Sequence, residues 1–168
     1  HEQGVAYMAF GYAQSTGKPG VYAVVPGPGI LNTTAALSTA YACNSRVLAI
    51  TGQIPSSYIG RELGMLHEIP NQLSILEGLT KFAKRINYPS DAPAIVSEAF
   101  KNMRSGRPRP TAIEMPMDIM QHKSEVTLRK FTDGYSPPAV DPDLIKEAAL
   151  ILGAAKNPVI FVGTGAYE

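Results

Sequence analysis

The chain has 168 residues, of which 45% are hydrophobic, and this is enough to bury a core in one domain plus a piece of another. A formal net charge of +1 gives no reason to expect nucleic acid or an anionic membrane as a partner. The single cysteine, Cys43, excludes an internal disulfide. Because we find neither a signal peptide nor a long apolar span, we expect a cytoplasmic protein.

The chain opens with a predicted helix, strand and turn. After Glu2, apolar residues recur at helical spacing, and Gly17 with Pro19 ends the helix. The apolar run at 21–25 is typical of a parallel strand covered on both faces. Because ligands of open α/β sheets bind at the carboxyl ends of strands, we expect one beside the Gly/Pro turn at 26–29. The predicted apolar face of the helix consists of Val5, Met8, Ala9, Tyr12 and Ala13.

Strands and helices then alternate along the chain. This alternation predicts an α/β fold with a parallel sheet and right-handed crossovers. The predicted elements are a helix at 30–44, a strand at 46–50 with its ligand-side exit at 51–53, a loop or short helix at 54–65, a short helix at 70–77, a strand at 81–88, a helix that Ser90 caps and Gly106 ends, and a strand at 111–115.

The alternation stops near residue 120. Residues 121–140 mix charges with glycine and proline and carry little periodicity, which predicts an inter-domain linker. Asp141 then caps a new helix, whose predicted inner face includes Leu144 and Ile151, and a strand is predicted at 159–162. We therefore divide the chain into a first domain at 1–120, a linker at 121–140 and the start of a second α/β domain at 141–168.

Four motifs near the start carry a family resemblance. They are His-Glu-Gln-Gly at 1–4, Gly-Tyr-Ala at 11–13, Thr-Gly-Lys-Pro-Gly at 16–20 and Gly-Pro-Gly-x-x-Asn at 27–32. Together they resemble the pyrimidine-binding domain of thiamine-diphosphate enzymes, in the acetohydroxyacid (acetolactate) synthase branch. Two departures are Pro26, where the family has Ser, and the absence of its Arg, since the chain starts at His1 inside a motif. We therefore expect an N-terminally truncated fragment with the family's three-layer fold.

The resemblance extends along nearly the whole chain. Later matches are Ala-Ile-Thr-Gly-Gln at 49–53, Ile-Gly at 59–60, Ser-Gly-Arg-Pro at 105–108 and Pro-Met-Asp at 116–118.

The resemblance assigns a chemical role to Glu2. It implies a carboxylic acid against the ring nitrogen of the cofactor's aminopyrimidine, where it promotes deprotonation of the thiazolium carbon. Glutamate suits this role if burial against an apolar ring raises its pKa. The alternative is that an acidic residue at a helix start only favours the helix dipole. By position, the resemblance also implies cofactor contacts from Pro28, Asn32 and Gln53, although Pro28 and Asn32 can equally serve a turn and a helix start.

His67 is the most informative departure from the family. It stands where acetohydroxyacid synthases commonly carry a Gln that approaches cofactor and substrate, so we include it as a catalytic candidate. A histidine changes charge near neutral pH and could shuttle a proton or anchor a carboxylate. It could equally be a surface loop residue. The change puts acetolactate formation in doubt while leaving thiamine chemistry intact.

The resemblance further implies the cofactors and partners. Thiamine diphosphate is expected, with Mg²⁺ held by a motif of a third domain that this chain lacks; some members keep FAD and others lose it. We predict no metal site in the chain, because its three histidines do not form a ligand cluster. The expected function is a fragment of an acetolactate synthase-like transferase or lyase acting on 2-keto acids as a homodimer or homotetramer. The alternatives are a related 2-keto acid decarboxylase and a non-catalytic α/β module.

Overall fold

The structure, a computed structural model, describes residues 1–128 and 136–166. The chain divides into two compact units, His1–Tyr135 and Ser136–Glu168. Part of the predicted linker lies outside the described residues, and the predicted domain boundaries stay predictions. Within the described ranges, no helix has both the length and the hydropathy needed to cross a membrane.

The first unit alternates helices with four strands. In chain order the elements are α1 (Glu2–Thr16), β1 (Gly20–Val24), α2 (Pro28–Leu31), α3 (Thr34–Ala42), β2 (Val47–Gln53), α4 (Gln72–Leu79), β3 (Phe82–Arg85), α5 (Ala92–Arg104), β4 (Thr111–Pro116) and α6 (Met117–Gln121). Short 3₁₀ turns lie at Ser56–Tyr58 and Pro89–Asp91.

The four strands form one parallel sheet in the order β1-β2-β4-β3. Gly20 pairs with Val47, and Thr111 pairs with both Leu48 and Phe82. The predicted parallel α/β fold is therefore confirmed. Because all strands run the same way, the carboxyl ends of β1, β2 and β4 meet at one edge of the sheet, where ligands of such sheets bind.

Each face of the sheet has its own core. On one face, α1, α3 and α4 contribute small and aliphatic side chains, among them Ala9, Leu37 and Leu76. Helix α1 lies so close to β1 that a Cβ on Gly20 would come within 2.0 Å of the carbonyl oxygen of Ala9. On the other face, α5 packs Ala99 and Met103, both 0% exposed, against β2 and β4.

Strand β1 corrects one prediction. It lies at an end of the described sheet, and only one of its faces is covered: Tyr22 is buried, but Val21 is 50% exposed. The apolar run at 21–25 had predicted cover on both faces. Helix α1 corrects another, since its buried face is made of alanines while Met8 is 68% and Tyr12 49% exposed.

The predicted helix at 30–44 is two helices. Asn32 and Thr33 separate α2 from α3, and the Thr33 hydroxyl donates to the Ile30 carbonyl at 2.7 Å. The Tyr22 hydroxyl donates to the same Thr33 oxygen at 3.0 Å. The predicted Ser90 cap is wrong as well: Ser90 lies in the 3₁₀ turn, and α5 begins at Ala92 without a side-chain cap.

The described part of the second unit contains one α-helix, α7 (Pro142–Ala154), and a 3₁₀ turn at Thr164–Ala166. Its predicted cap is confirmed, since the Asp141 carboxylate accepts the Asp143 N–H at 2.9 Å. Its predicted inner face is exposed, with Leu144 at 62% and Ile151 at 64%. The predicted strand at 159–162 is not formed, because a strand needs a neighbour to complete its ladder and these residues are exposed, Phe161 by 96%.

Candidate active site

Glu2 and Asn32 meet beyond the carboxyl end of β1. Glu2 lies in the first turn of α1, which His1 caps by accepting the Gln3 N–H on its Nδ1 at 3.2 Å. Asn32 ends α2, and its Nδ2 donates to Glu2 Oε2 at 3.1 Å. The pair therefore joins two helix ends that are 30 residues apart in sequence.

The environment of Glu2 lowers its pKa below the ordinary 4.5. The main cause is the hydrogen bond from its own backbone N–H, and the Asn32 amide adds to it. These hydrogen bonds outweigh the small rise that burial causes, so the net rise expected from the sequence is not found. Glu2 is ionised at neutral pH and offers an acceptor to hydrogen-bond donors.

The turn after β1 requires its two glycines. Gly27 has φ 61° and ψ −120°, a conformation that side-chain-bearing residues rarely adopt. A Cβ there would also come within 2.4 Å of the His67 carbonyl oxygen, and a Cβ on Gly29 would meet the Val25 side chain at 2.5 Å. Pro28 follows as the exposed first residue of α2, where a missing N–H costs nothing.

The loop that carries His67 therefore lies directly against this turn. His67 itself has a φ of 69°, and its partly buried side chain stands beside Leu66, which is 84% exposed. The structure thus brings the His67 backbone to the turn that bears Pro28. A catalytic role for the imidazole stays a prediction.

Gln53 is placed differently from Pro28 and Asn32. It is 4% exposed at the end of β2. Its Oε1 accepts the Ile54 N–H at 2.8 Å, and its Nε2 faces the carboxylate of Glu114 at 3.5 Å. The amide therefore serves contacts inside the protein, and the predicted contact with a cofactor stays a prediction.

A buried polar cluster beneath the turn was missed by the sequence analysis. Glu114 in β4 is 0% exposed and accepts from Arg85 Nε at 2.5 Å and from Gln72 Nε2 at 2.7 Å. Gln72, 1% exposed, also reaches Gly27 and Gly52. The available signal was an acidic residue inside the apolar run of β4, since a carboxylate is rarely buried unless it is paired.

A groove of about 720 Å³ lies over the uncovered face of β1 and the adjoining part of β2. It begins at Glu2 and continues along mostly apolar side chains. Ile50 and Met120, at 37% and 53% exposed, are among its lining residues. In the part of the chain that the structure describes, no three His, Cys, Asp or Glu side chains come together as metal ligands.

Comparison with known proteins identifies the first part of the chain. Residues 1–75 match the family model described as thiamine pyrophosphate enzyme, N-terminal TPP binding domain. A solved thiamine diphosphate-dependent 4-hydroxybenzoylformate decarboxylase of Rhodococcus jostii RHA1 superposes with a TM-score of 0.82, covering 95% of this chain and 30% of that one. At 22% sequence identity, this likeness shows the shared fold. The chain carries the N-terminal domain of a thiamine pyrophosphate enzyme.

Relatives with closer sequences define the branch. An acetolactate synthase of Arthrospira platensis is 38% identical over 99% of this chain, and the large subunit of acetolactate synthase isozyme 1 of Escherichia coli is 33% identical over 98%. A probable 2-ketoarginine decarboxylase of Pseudomonas aeruginosa is 34% identical over 99%. The chain spans 29%, 29% and 30% of these relatives, respectively. It is an acetolactate synthase-like domain.

Proposed function

We propose that this chain forms the aminopyrimidine side of a thiamine diphosphate site, with Glu2 as its catalytic acid–base group. The observation that carries the proposal is the hydrogen bond between Glu2 and Asn32, set beside the turn at Gly27 and Pro28. A carboxylate held in place by an amide, next to a backbone without side chains, suits a flat heterocycle with a polar edge.

The residues of the chain divide the work at this site. Asn32 orients the Glu2 carboxylate, which holds or moves one proton at a ring nitrogen. Gly27 and Gly29 keep side chains away from the backbone beside the ring, and Pro28 presents that backbone. When bound, thiamine diphosphate would supply a nucleophilic carbon for chemistry on a 2-keto acid, and the residues of this chain would contribute position and a proton.

The proposed reaction is carboligation of 2-keto acids by an acetolactate synthase-like transferase. The similarity to two acetolactate synthases over nearly the whole chain supports it. The proposal includes Mg²⁺ on the diphosphate, held by residues outside this chain, and allows FAD without requiring it. It also includes assembly as a homodimer or homotetramer in the cytoplasm.

A second candidate is decarboxylation of a 2-keto acid, the lyase reaction. His67 replaces the Gln of acetohydroxyacid synthases, and its loop lies against the turn that the proposal assigns to the cofactor. The 34% identity to a probable 2-ketoarginine decarboxylase also favours this reaction. Both candidates require the same role for Glu2.

Substitution of Glu2 tests the proposal. In the full-length protein loaded with thiamine diphosphate, we expect Glu2→Gln to slow proton exchange at the thiazolium carbon more than about tenfold, since a positioned acid–base group contributes at least that much. Exchange is measured by deuterium loss and NMR. Glu77→Gln, the same change at an exposed position of α4, is the control and should leave exchange unchanged. Exchange at the wild-type rate in Glu2→Gln would overturn the assignment.

A further inference from the structure

Gln72 connects three elements at the edge of the sheet where the proposed site lies. It is the first residue of α4 and is 1% exposed. Its Oε1 accepts the backbone N–H of Gly27 at 2.8 Å. Its Nε2 donates to the carbonyl of Gly52 at 3.0 Å and to Glu114 Oε2 at 2.7 Å. One buried amide thus connects the turn after β1, the end of β2 and the Glu114 side chain of β4.

The chemistry of the partners fixes which way this amide points. Gly27 presents its backbone N–H, a donor, whereas Gly52 presents its carbonyl and Glu114 its carboxylate, both acceptors. An amide flipped by 180° would therefore lose all three hydrogen bonds. Glu114 is held in turn by Arg85, whose Nε lies 2.5 Å from its Oε1. This contact holds the Glu114 side chain in place, so that it can anchor the amide.

The turn is held between this amide and the His67 loop. Without Gln72, the Gly27 N–H would be a buried donor that has lost its acceptor, which is unfavourable. On its other side, the carbonyl of His67 already occupies the space next to the Gly27 Cα. Displacement of Gly27 would move Pro28 and, through α2, the Asn32 amide that holds Glu2.

We infer that Gln72, anchored by Glu114, is a positioning residue that fixes the Gly27–Pro28 turn for binding thiamine diphosphate. This inference rests on the proposed function. It assigns to Gln72 no contact with substrate or cofactor. The residue acts through the backbone of the turn, and its loss should weaken cofactor binding in protein that remains folded.

The variant Gln72→Glu gives a signature that a structural role alone would not produce. It has nearly the same shape and keeps an acceptor for Gly27, but it sets a second carboxyl group 2.7 Å from the carboxylate of Glu114. Two carboxyl groups this close ionise together only at a higher pH than a lone carboxyl group does, so the pair retains a proton up to that pH. While protonated, the new carboxyl group donates to Glu114; once ionised, it repels Glu114.

We therefore expect the affinity of Gln72→Glu for thiamine diphosphate to fall relative to wild type as pH rises from about 5 to 8. Loss of one hydrogen bond to a charged group predicts a fall of about tenfold or more. Affinity is measured by calorimetry on the full-length protein with Mg²⁺ present. Thr80→Val, which removes the buried hydroxyl bond to Leu76 at the other end of α4, is the matched control. It should lower stability without changing affinity at any pH.

Hydrogen exchange gives a readout that does not need the cofactor. In Gln72→Leu, the Gly27 N–H loses its acceptor, so the peptide containing residues 25–32 should exchange faster than in wild type. Wild-type affinity of Gln72→Glu at every pH, with only its melting temperature lowered, would overturn the positioning role while leaving the proposed function intact. Failure of the wild-type protein to bind thiamine diphosphate would overturn the proposed function itself, and the inference with it.

Discussion

The proposed role of Glu2 calls for a higher pKa of its carboxyl group than the one it has in this chain. In this chain, backbone and Asn32 hydrogen bonds hold its pKa below 4.5, so it is charged at neutral pH. A group that shares a proton with a ring nitrogen works best when its pKa lies near the working pH. The proposed role therefore requires that seating an apolar ring against Glu2 removes water and raises its pKa on binding.

His67 gives a prediction at the same scale. A histidine changes charge between about pH 5 and 8, whereas a glutamine does not. If the imidazole lies at the substrate, the turnover of the full-length enzyme should show an ionisation in this window, and His67→Gln should remove it. The measurement is a pH–rate profile with a 2-keto acid substrate. With pyruvate, the same variant should form more acetolactate if the Gln of related synthases directs that reaction.

His122→Gln is the matched control for this experiment. His122 is exposed and follows α6, so the same change of side chain there should leave the profile unaltered. A profile and a product ratio that His67→Gln does not change would return His67 to the role of a loop residue. The choice of substrate would then be made outside this chain.

At the scale of elements, the apolar runs and the Gly and Pro breakers predicted the fold class better than the boundaries and burial of single helices and strands. The strands predicted at 21–25 and 46–50 correspond to β1 and β2, which pair in parallel. The pattern could not show that β1 has only one covered face, because cover depends on which helices pack there. It could not show the break at Asn32 and Thr33 either, because this break leaves no mark in hydrophobic spacing.

The sequence likewise indicated some polar residues of the proposed site and gave no sign of others. The family resemblance placed Glu2 and Asn32 each at the proposed site, and the hydrogen bond that joins them at 3.1 Å came only from the structure. Gln72 carried no signal, because a glutamine in sequence is most often an exposed residue. Its three bonds depend on Gly27, Gly52 and Glu114, which only the folded topology brings together.

A surface contact links the segments that leave β2 and β4. The Asp118 carboxylate accepts the Ser56 backbone N–H at 2.9 Å and its hydroxyl at 2.5 Å. These bonds lower the pKa of Asp118 below 3.8, and the bond from the Ser56 hydroxyl has the largest effect. Because the folded pKa is lower than the unfolded one, this contribution to stability is present above about pH 4 and is lost as pH falls through the folded value.

We predict that Asp118→Asn lowers the free energy of unfolding by less than about 1 kcal/mol near pH 7, since exposure to water weakens bonds of this kind. The difference from wild type should shrink below about pH 4. Urea unfolding of this chain at dilute concentration, at pH 7 and pH 3, measures both. Ser56→Ala should lower the free energy of unfolding by about as much, and the variant that carries both substitutions should lower it by little more. Independent, additive losses would show that the two residues do not interact.

At the scale of the whole molecule, much apolar surface is uncovered. The groove on the sheet and the apolar side chains of α7 are exposed, Leu144 by 62%. Apolar surface of this kind promotes association. We predict that this chain of 18.0 kDa, prepared alone, self-associates. Size-exclusion chromatography with light scattering gives its mass.

Substitutions on α7 test whether its exposed apolar side chains cause the self-association. Leu144→Lys combined with Ile151→Lys should reduce association, whereas Lys146→Glu, which alters charge on the same helix without removing apolar surface, should not. A monodisperse monomer of the unsubstituted chain at high concentration would contradict the prediction.

The position of β4 in the sheet has a consequence for synthesis of the protein on the ribosome. Among the described residues β4 is the last strand, yet it lies between β2 and β3. Glu114 follows Gln53 by 61 residues, so at 5–20 residues per second the edge of β2 waits about 3–12 s for its neighbour. Gln72 emerges earlier but lacks its Glu114 anchor during that interval. The pairing of β2 and β3 with β4 is thus the last step in forming the sheet, and slow translation between β2 and β4 lengthens the time in which β2 can pair wrongly.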